Sequence, residues 1–111
     1  MNGNWDPWGQ KPVHYVALWK SVVNAVRAIP GAAKKVAFLW APNINPPIEG
    51  YPFGGLGDAP FTSAARTSSV AIDPTEFAAL DTNGDGIFDN GDDPYSPYFP
   101  GPEYVDWVGA S

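Results

Sequence analysis

The chain has 111 residues, the length of one domain, and its 44% hydrophobic content with five Trp excludes a disordered polar segment. It contains no Cys, which excludes a disulfide scaffold and a thiol active site, while 13 Pro and 12 Gly interrupt it too often for long regular elements. The net charge of −6 comes without a basic patch, which argues against a nucleic-acid partner, and no apolar run approaches the roughly 18 residues of a membrane span.

No signal-peptide pattern opens the chain. Residues 2–9 read as a loop, with glycines, asparagines and Pro7, yet they carry two indoles three residues apart, Trp5 and Trp8. Such a pair fits two readings on the residues alone: faces on which sugar rings stack, or side chains packed into a core beneath the loop.

Residues 12–28 carry a helical period. Tyr15, Leu18, Trp19, Val22, Val26 and Ile29 recur at three- and four-residue steps, with Lys20, Asn24 and Arg27 facing away. Pro12 suits the first turn, and Pro30-Gly31 ends the helix. His14 is the only histidine; without a second His or Cys it is a poor zinc ligand and is expected to bond nearby backbone.

The run 36–40 is apolar without alternation, which predicts a strand buried on both faces, as in a parallel sheet covered by helices. Residues 105–108 predict a second strand of this kind, ended by Gly109. Helix followed by buried strand is half of a βαβ repeat. Between the strands, residues 41–104 form a long excursion rich in Tyr and Phe, with one short helix predicted from Pro74 to about Leu80. Asp73 is its cap, Pro74 its first turn and Glu76 stands three residues after the cap.

After that helix comes Asp81-Thr82-Asn83-Gly84-Asp85-Gly86-Ile87-Phe88-Asp89-Asn90-Gly91-Asp92, a calcium-loop pattern of the D-x-[DN]-x-[DN]-G type. Calcium takes six to eight oxygen ligands. Asp81, Asn83 and Asp85 offer side-chain oxygens at positions one, three and five, and Gly86 makes the turn at position six. Ile87 offers its carbonyl, Asp89 a direct or water-mediated contact, and Asp92 the closing carboxylate. Position twelve is Asp rather than Glu, and position eight, which usually pairs with a second loop, is Phe88. A solvated cluster of Asx-turns is the other reading of this composition. Pro94, Pro97, Pro100 and Pro102 forbid an exiting helix, so the loop is expected to act as a structural staple and not as a sensor.

Three ordered stretches carry a family resemblance. Met1-Asn2-Gly3-x-Trp5-x-Pro7-Trp8-Gly9 resembles the Glu-Met-Asn-Gly-x-Trp-x-x-Trp-Gly motif at strand four of the family-26 glycoside hydrolases, secreted β-mannanase-like enzymes on a (β/α)8 barrel. Phe38-Leu39-Trp40-Ala41-Pro42-Asn43 is similar to their strand-five Phe-x-Trp-Ser-Pro-Asn. Residues 97–109 are similar to the approach to strand six, and fungal-type members carry an Asp-x-Asn-x-Asp-Gly loop there. Pro102 departs from the Asp common in relatives. The resemblance implies an α/β fold: a partial TIM barrel of about strands five and six, with the helix after strand four and a long calcium-loop insertion.

The same resemblance places the acid/base glutamate one residue before Met1 and the nucleophile beyond Ser111, so no catalytic residue is expected here. Retaining hydrolysis needs both carboxylates. The expected substrate-binding residues are Trp5, Trp8, Trp40 and Asn43, and the expected cofactor is structural calcium on Asp81, Asn83, Asp85, Ile87, Asp89 and Asp92. The implied partners are a mannan-type polysaccharide and the missing parts of the barrel, in an extracellular full-length protein. Asp106 is expected as a hydrogen-bonded barrel-interior residue. The alternatives are a small non-catalytic calcium- or carbohydrate-binding protein and a dockerin-type scaffold module. A dockerin would carry two calcium loops, and this chain has one.

Overall fold

The computed structural model of the chain describes Asn2 and residues 9–44, 73–88 and 91–110. Four elements organise them: helix α1 (Pro12–Arg27), strand β1 (Leu39–Trp40), helix α2 (Pro74–Leu80) and strand β2 (Trp107–Val108). Short 3-10 turns at Ala32–Lys34, Ser96–Tyr98 and Pro102–Tyr104 link them. The proline-rich stretch after the acidic loop thus forms short 3-10 turns, since each Pro lacks an N–H and has its own φ fixed by its ring, and the residue before it is biased away from helix.

Helix α1 begins with Pro12 in its first turn, as its sequence requires, and Lys11 before it supplies no side-chain cap. It stops at Arg27, ahead of Pro30, which offers no N–H and disfavours helix in the residue before it, and Gly31, at a left-handed φ of 80°, turns the chain through Ala32–Lys34 toward β1. The predicted apolar stripe is only half buried. Tyr15, Trp19 and Val26 pack inward, whereas Leu18, Val22 and Ile29 are exposed, and the fully buried position is Val23.

The two strands pair in parallel, with Leu39 opposite Trp107 and Trp40 opposite Val108. Asp106 N–H and Trp107 N–H both donate to Phe38 O, and Gly109 N–H donates to Trp40 O at 2.9 Å. The expectation of strands buried on both faces is corrected here. Trp40 is buried, but Leu39, Trp107 and Val108 are 56%, 67% and 66% exposed. Among the described residues Trp40 on one face joins the core, and Leu39 and Trp107 on the other remain mostly exposed.

The core is aromatic. Trp40, Phe77, Leu80, Phe88 and Tyr98 are buried together, and Tyr15, Trp19, Tyr95 and Val105 pack against them. Tyr15 meets Tyr98 edge to face at 6.2 Å, and Trp19 meets Phe38 at 6.3 Å. Trp19 and Trp40 both place their indole N–H on main-chain oxygens, Tyr104 O at 2.9 Å and Tyr98 O at 3.0 Å, so neither leaves a buried donor unpaired. Burial also pushes the Tyr15 hydroxyl up to about 12.

Candidate functional site

The acidic loop is built on carboxylates that collect its own main-chain N–H groups. Asp81 Oδ1 accepts from Gly84 N at 2.9 Å and Asp85 N at 3.1 Å, and its Oδ2 accepts from Gly86 N at 2.9 Å. Asn83 Oδ1 accepts from Asp85 N at 3.0 Å, and Asp85 Oδ1 from Ile87 N at 2.8 Å. Gly86 sits at φ 86°, the left-handed turn that its position in the motif demands. Asp92 closes the loop from the far end: it is buried, and its Oδ1 accepts from Thr82 N at 2.7 Å and Asn83 N at 3.3 Å. Thr82 Oγ1 in turn accepts from Asp93 N at 2.7 Å, which ties the two ends of the loop a second time.

Phe88, at position eight, is 1% exposed and joins the core beside Leu80 and Tyr98. Where a paired calcium loop would use this position to meet its twin, this chain uses it to anchor the loop to its own core. Asp93 begins the turn at Ser96–Tyr98. Burial works against its charge, but the Ser96 hydroxyl and the N–H groups of Ser96 and Tyr95 hold its carboxyl below the usual range.

The donor set suits a hard cation by its chemistry. Asp81, Asn83 and Asp85 offer oxygens, each carboxylate has about four lone-pair sites, and the main-chain bonds above use only part of them. Among the described residues no three carboxylate or imidazole groups converge on one point. Asp89, one of the six expected ligands, lies outside the described residues.

The second expected site is divided in the same way. Trp5 and Trp8 lie outside the described residues. Trp40 is a core residue whose indole ring meets Phe99 edge to face at 5.2 Å. Asn43 is half-buried and pairs with Asn2 in both directions, donating its N–H to Asn2 Oδ1 at 3.1 Å and accepting from Asn2 Nδ2 at 3.0 Å. Asn2 itself is buried, and its amide holds the main chain at Asn43, a link that its place in the motif alone does not reveal.

Two expectations about single residues are corrected. Asp106 lies near the surface with its side chain 40% exposed, where it accepts from Phe38 N at 2.8 Å and faces Arg27 at 3.8 Å. It is hydrogen-bonded as expected, but it is not interior, because no strand of the described residues covers it. The imidazole of His14 meets a side chain and not backbone: its Nδ1 is paired with the carboxylate of Glu76. Glu76 is the functional-looking residue that the sequence concealed. It follows a helix cap at the spacing of a capping box, yet its carboxylate crosses to α1.

Comparison with protein-family models, with curated proteins and with solved structures finds no match to this chain.

Proposed function

We propose that the chain is a segment of a secreted, family-26-like glycoside hydrolase barrel whose full-length form acts on β-mannan-type polysaccharide by retaining hydrolysis. In this reading it forms one wall of a sugar-binding cleft, stapled by a calcium loop, and hydrolyses nothing by itself. The observation that supports the reading is the meeting of three stretches far apart in sequence that carry the family resemblance. Asn2 of the first is bonded to Asn43 of the second, and Trp40 of the second donates to Tyr98 of the third. Phe38 N donates to Asp106, 68 positions away, beside a parallel strand pair. A barrel built from consecutive βα units requires parallel pairing of this kind.

Within the segment, Trp5 and Trp8 are assigned the stacking role, with Asn43 held in place by Asn2. Calcium would be held by Asp81, Asn83, Asp85, Ile87, Asp89 and Asp92, where it would neutralise clustered carboxylates and fix the loop. Protonating a glycosidic oxygen and trapping the anomeric carbon need two carboxylates on rigid strand ends. Asp106 accepts the N–H of Phe38 and faces Arg27, and no second carboxylate is paired with it among the described residues.

A second reading, a small non-catalytic calcium- or carbohydrate-binding protein, draws on the burial of Phe88 with Trp40 and Tyr98, which gives the loop a core of its own. One experiment separates the two. Reducing-sugar release from mannan is measured for this chain and for a longer form extended on one side through strand four and on the other through the stretch expected to carry the nucleophile. The first reading expects an active long form and a silent short one. Silence in both, with retention of the short chain in a mannan gel, would favour the second.

A further inference from the structure

Three Asn-Gly steps stand in the chain, at 2–3, 83–84 and 90–91. At such a step an asparagine reacts most readily with its own main chain, because glycine puts no Cβ in the way of the side-chain carbonyl. The fold treats the steps differently. Asn2 is buried, and both ends of its amide are bonded to the main chain of Asn43, which holds it away from the peptide bond that follows. Asn90 lies outside the described residues. Asn83 and Gly84 are both exposed, and the space where a Gly84 side chain would stand is clear to 4 Å.

The hydrogen bonds around Asn83 set up one reactant and withhold the other. Asn83 Oδ1 accepts from Asp85 N at 3.0 Å, a donor placed where negative charge grows when the side-chain carbon is attacked. Asn83 Nδ2, the leaving nitrogen, donates to Asp85 Oδ2 at 3.2 Å. The attacking atom is the nitrogen of Gly84, and its N–H donates to Asp81 Oδ1 at 2.9 Å. A carboxylate so placed favours the protonated amide over the anion that attacks. Asp81 is kept there by two further donors, Asp85 N at 3.1 Å and Gly86 N at 2.9 Å.

We propose that Asn83 is a site of spontaneous deamidation through Gly84, and that Asp81 sets its rate by withholding the Gly84 N–H. The Gly84 nitrogen bonds to Cγ of Asn83, and Nδ2 departs as ammonia carrying the proton that Gly84 gives up, which leaves a cyclic succinimide. Water then opens the ring at either carbonyl, giving aspartate or isoaspartate at position 83. Both products add a sixth carboxylate to the five aspartates of residues 81–93. On the calcium reading, aspartate keeps a ligand oxygen at position three, where the pattern takes Asp or Asn, whereas isoaspartate lengthens the main chain by one carbon inside the loop. That consequence rests on the calcium reading; the modification does not.

Incubation of the full chain at mildly alkaline pH tests this, with peptide mapping by mass spectrometry and chromatographic separation of the aspartate and isoaspartate forms. In the wild type, Asn83 should convert faster than Asn2 and more slowly than the same step in a free peptide of residues 81–86. Asp81→Ala should raise the rate at Asn83 about tenfold, the weight of one hydrogen bond to a charged group. Asp81→Asn, which keeps an acceptor without its charge, should raise it by less. Asn2 should stay slow in both variants, which separates release of the Gly84 N–H from unfolding. A rate at Asn83 that Asp81→Ala leaves unchanged overturns the proposal, and a lower rate does so by making Asp81 a base. Rates that rise alike at Asn83 and Asn2 also overturn it, since the whole fold and not Asp81 would then hold the step.

Discussion

Glu76 grips His14 at two points, its side-chain imidazole and its main-chain N–H, the latter at 3.1 Å. The same carboxylate accepts from Val13 N at 2.8 Å, so a residue of α2 supplies the N-terminal cap that Lys11 does not. Two of the orphan donors of α1 are thereby satisfied by a carboxylate only 2% exposed, and a negative charge is set at the positive end of the helix dipole.

That arrangement predicts a local effect of substitution. A hydrogen bond to a charged group contributes about 1.5–3 kcal/mol, and 1.4 kcal/mol is tenfold in an equilibrium. Glu76→Gln should speed amide hydrogen exchange at Val13 and His14 about tenfold, and Glu76→Ala about a hundredfold. His14→Gln, which keeps the main-chain donor, should have the smaller effect. Equal exchange in wild type and Glu76→Ala would mean that the cap contributes nothing.

Phe88 predicts a second effect, at the join between loop and core. Truncating a buried Phe costs about 3–5 kcal/mol through lost transfer energy and the cavity left behind. Phe88→Ala should therefore abolish the near-ultraviolet dichroism of the Trp40–Tyr98 cluster and raise binding of a hydrophobic dye. Phe88→Leu, closer in volume, should keep most of the signal. A Phe88→Ala chain with an unchanged aromatic spectrum would place the loop outside the core.

Much of this architecture is legible in the residues. Pro12 and the 3.6-residue period locate α1, Asp73-Pro74 starts α2, and the Asp-x-Asn-x-Asp-Gly spacing gives the loop with its left-handed glycine. What the sequence conceals is partnership at a distance. Apolar runs say that a strand could be buried, not that another element is there to bury it, and among the described residues Leu39 and Val108 stay largely exposed. The spacing Asp73 to Glu76 is the same for a carboxylate that turns back to its own helix and for one that crosses to α1; only the packing of α2 on α1 decides. Asp92 and Asn2 are similar cases, because polarity alone predicts exposure, and both are buried by the main-chain donors they accept from.

Asp73 gives a pH prediction. Its Oδ1 accepts from Thr75 N at 2.8 Å and from Glu76 N at 3.3 Å, and these bonds, Thr75 first, hold its carboxyl below the usual 3.8. A carboxylate with a depressed folded-state pKa contributes stability that is present above its unfolded value and lost as the pH falls through the folded one. The first turn of α2 should hold at pH 5 and fray below about 3.8. The Asp73 side-chain resonance and the Thr75 amide should titrate together, with a midpoint below that of a model peptide. Asp73→Asn should remove the transition at Thr75. A midpoint at or above the model-peptide value would show that the cap bonds do not persist in solution.

Calcium binding makes the last prediction, and here the loop's hydrogen bonds set the direction of each substitution. Five aspartates, Asp81, Asp85, Asp89, Asp92 and Asp93, lie within residues 81–93, and like charges so placed repel unless a cation or N–H donors offset them. Asp81 and Asp92 already receive main-chain donors, so they shape the loop even without metal. Asp85 is exposed and accepts two donors, Ile87 N and Asn83 Nδ2, against three each at Asp81 and Asp92, leaving more of its capacity for a cation. Titration calorimetry should therefore give one site per chain with Kd of about 10⁻⁵–10⁻³ M, weak because no twin loop completes a pair. Asp85→Ala should abolish the heat while leaving the dichroism of the calcium-free chain unchanged. Asp92→Ala should lose both, since it also releases the N–H groups of Thr82 and Asn83 into a half-buried corner. Magnesium, which holds its water shell and demands octahedral geometry, should bind more weakly than calcium. Identical heats for wild type and Asp85→Ala would reduce the loop to a turn held by its own carboxylates.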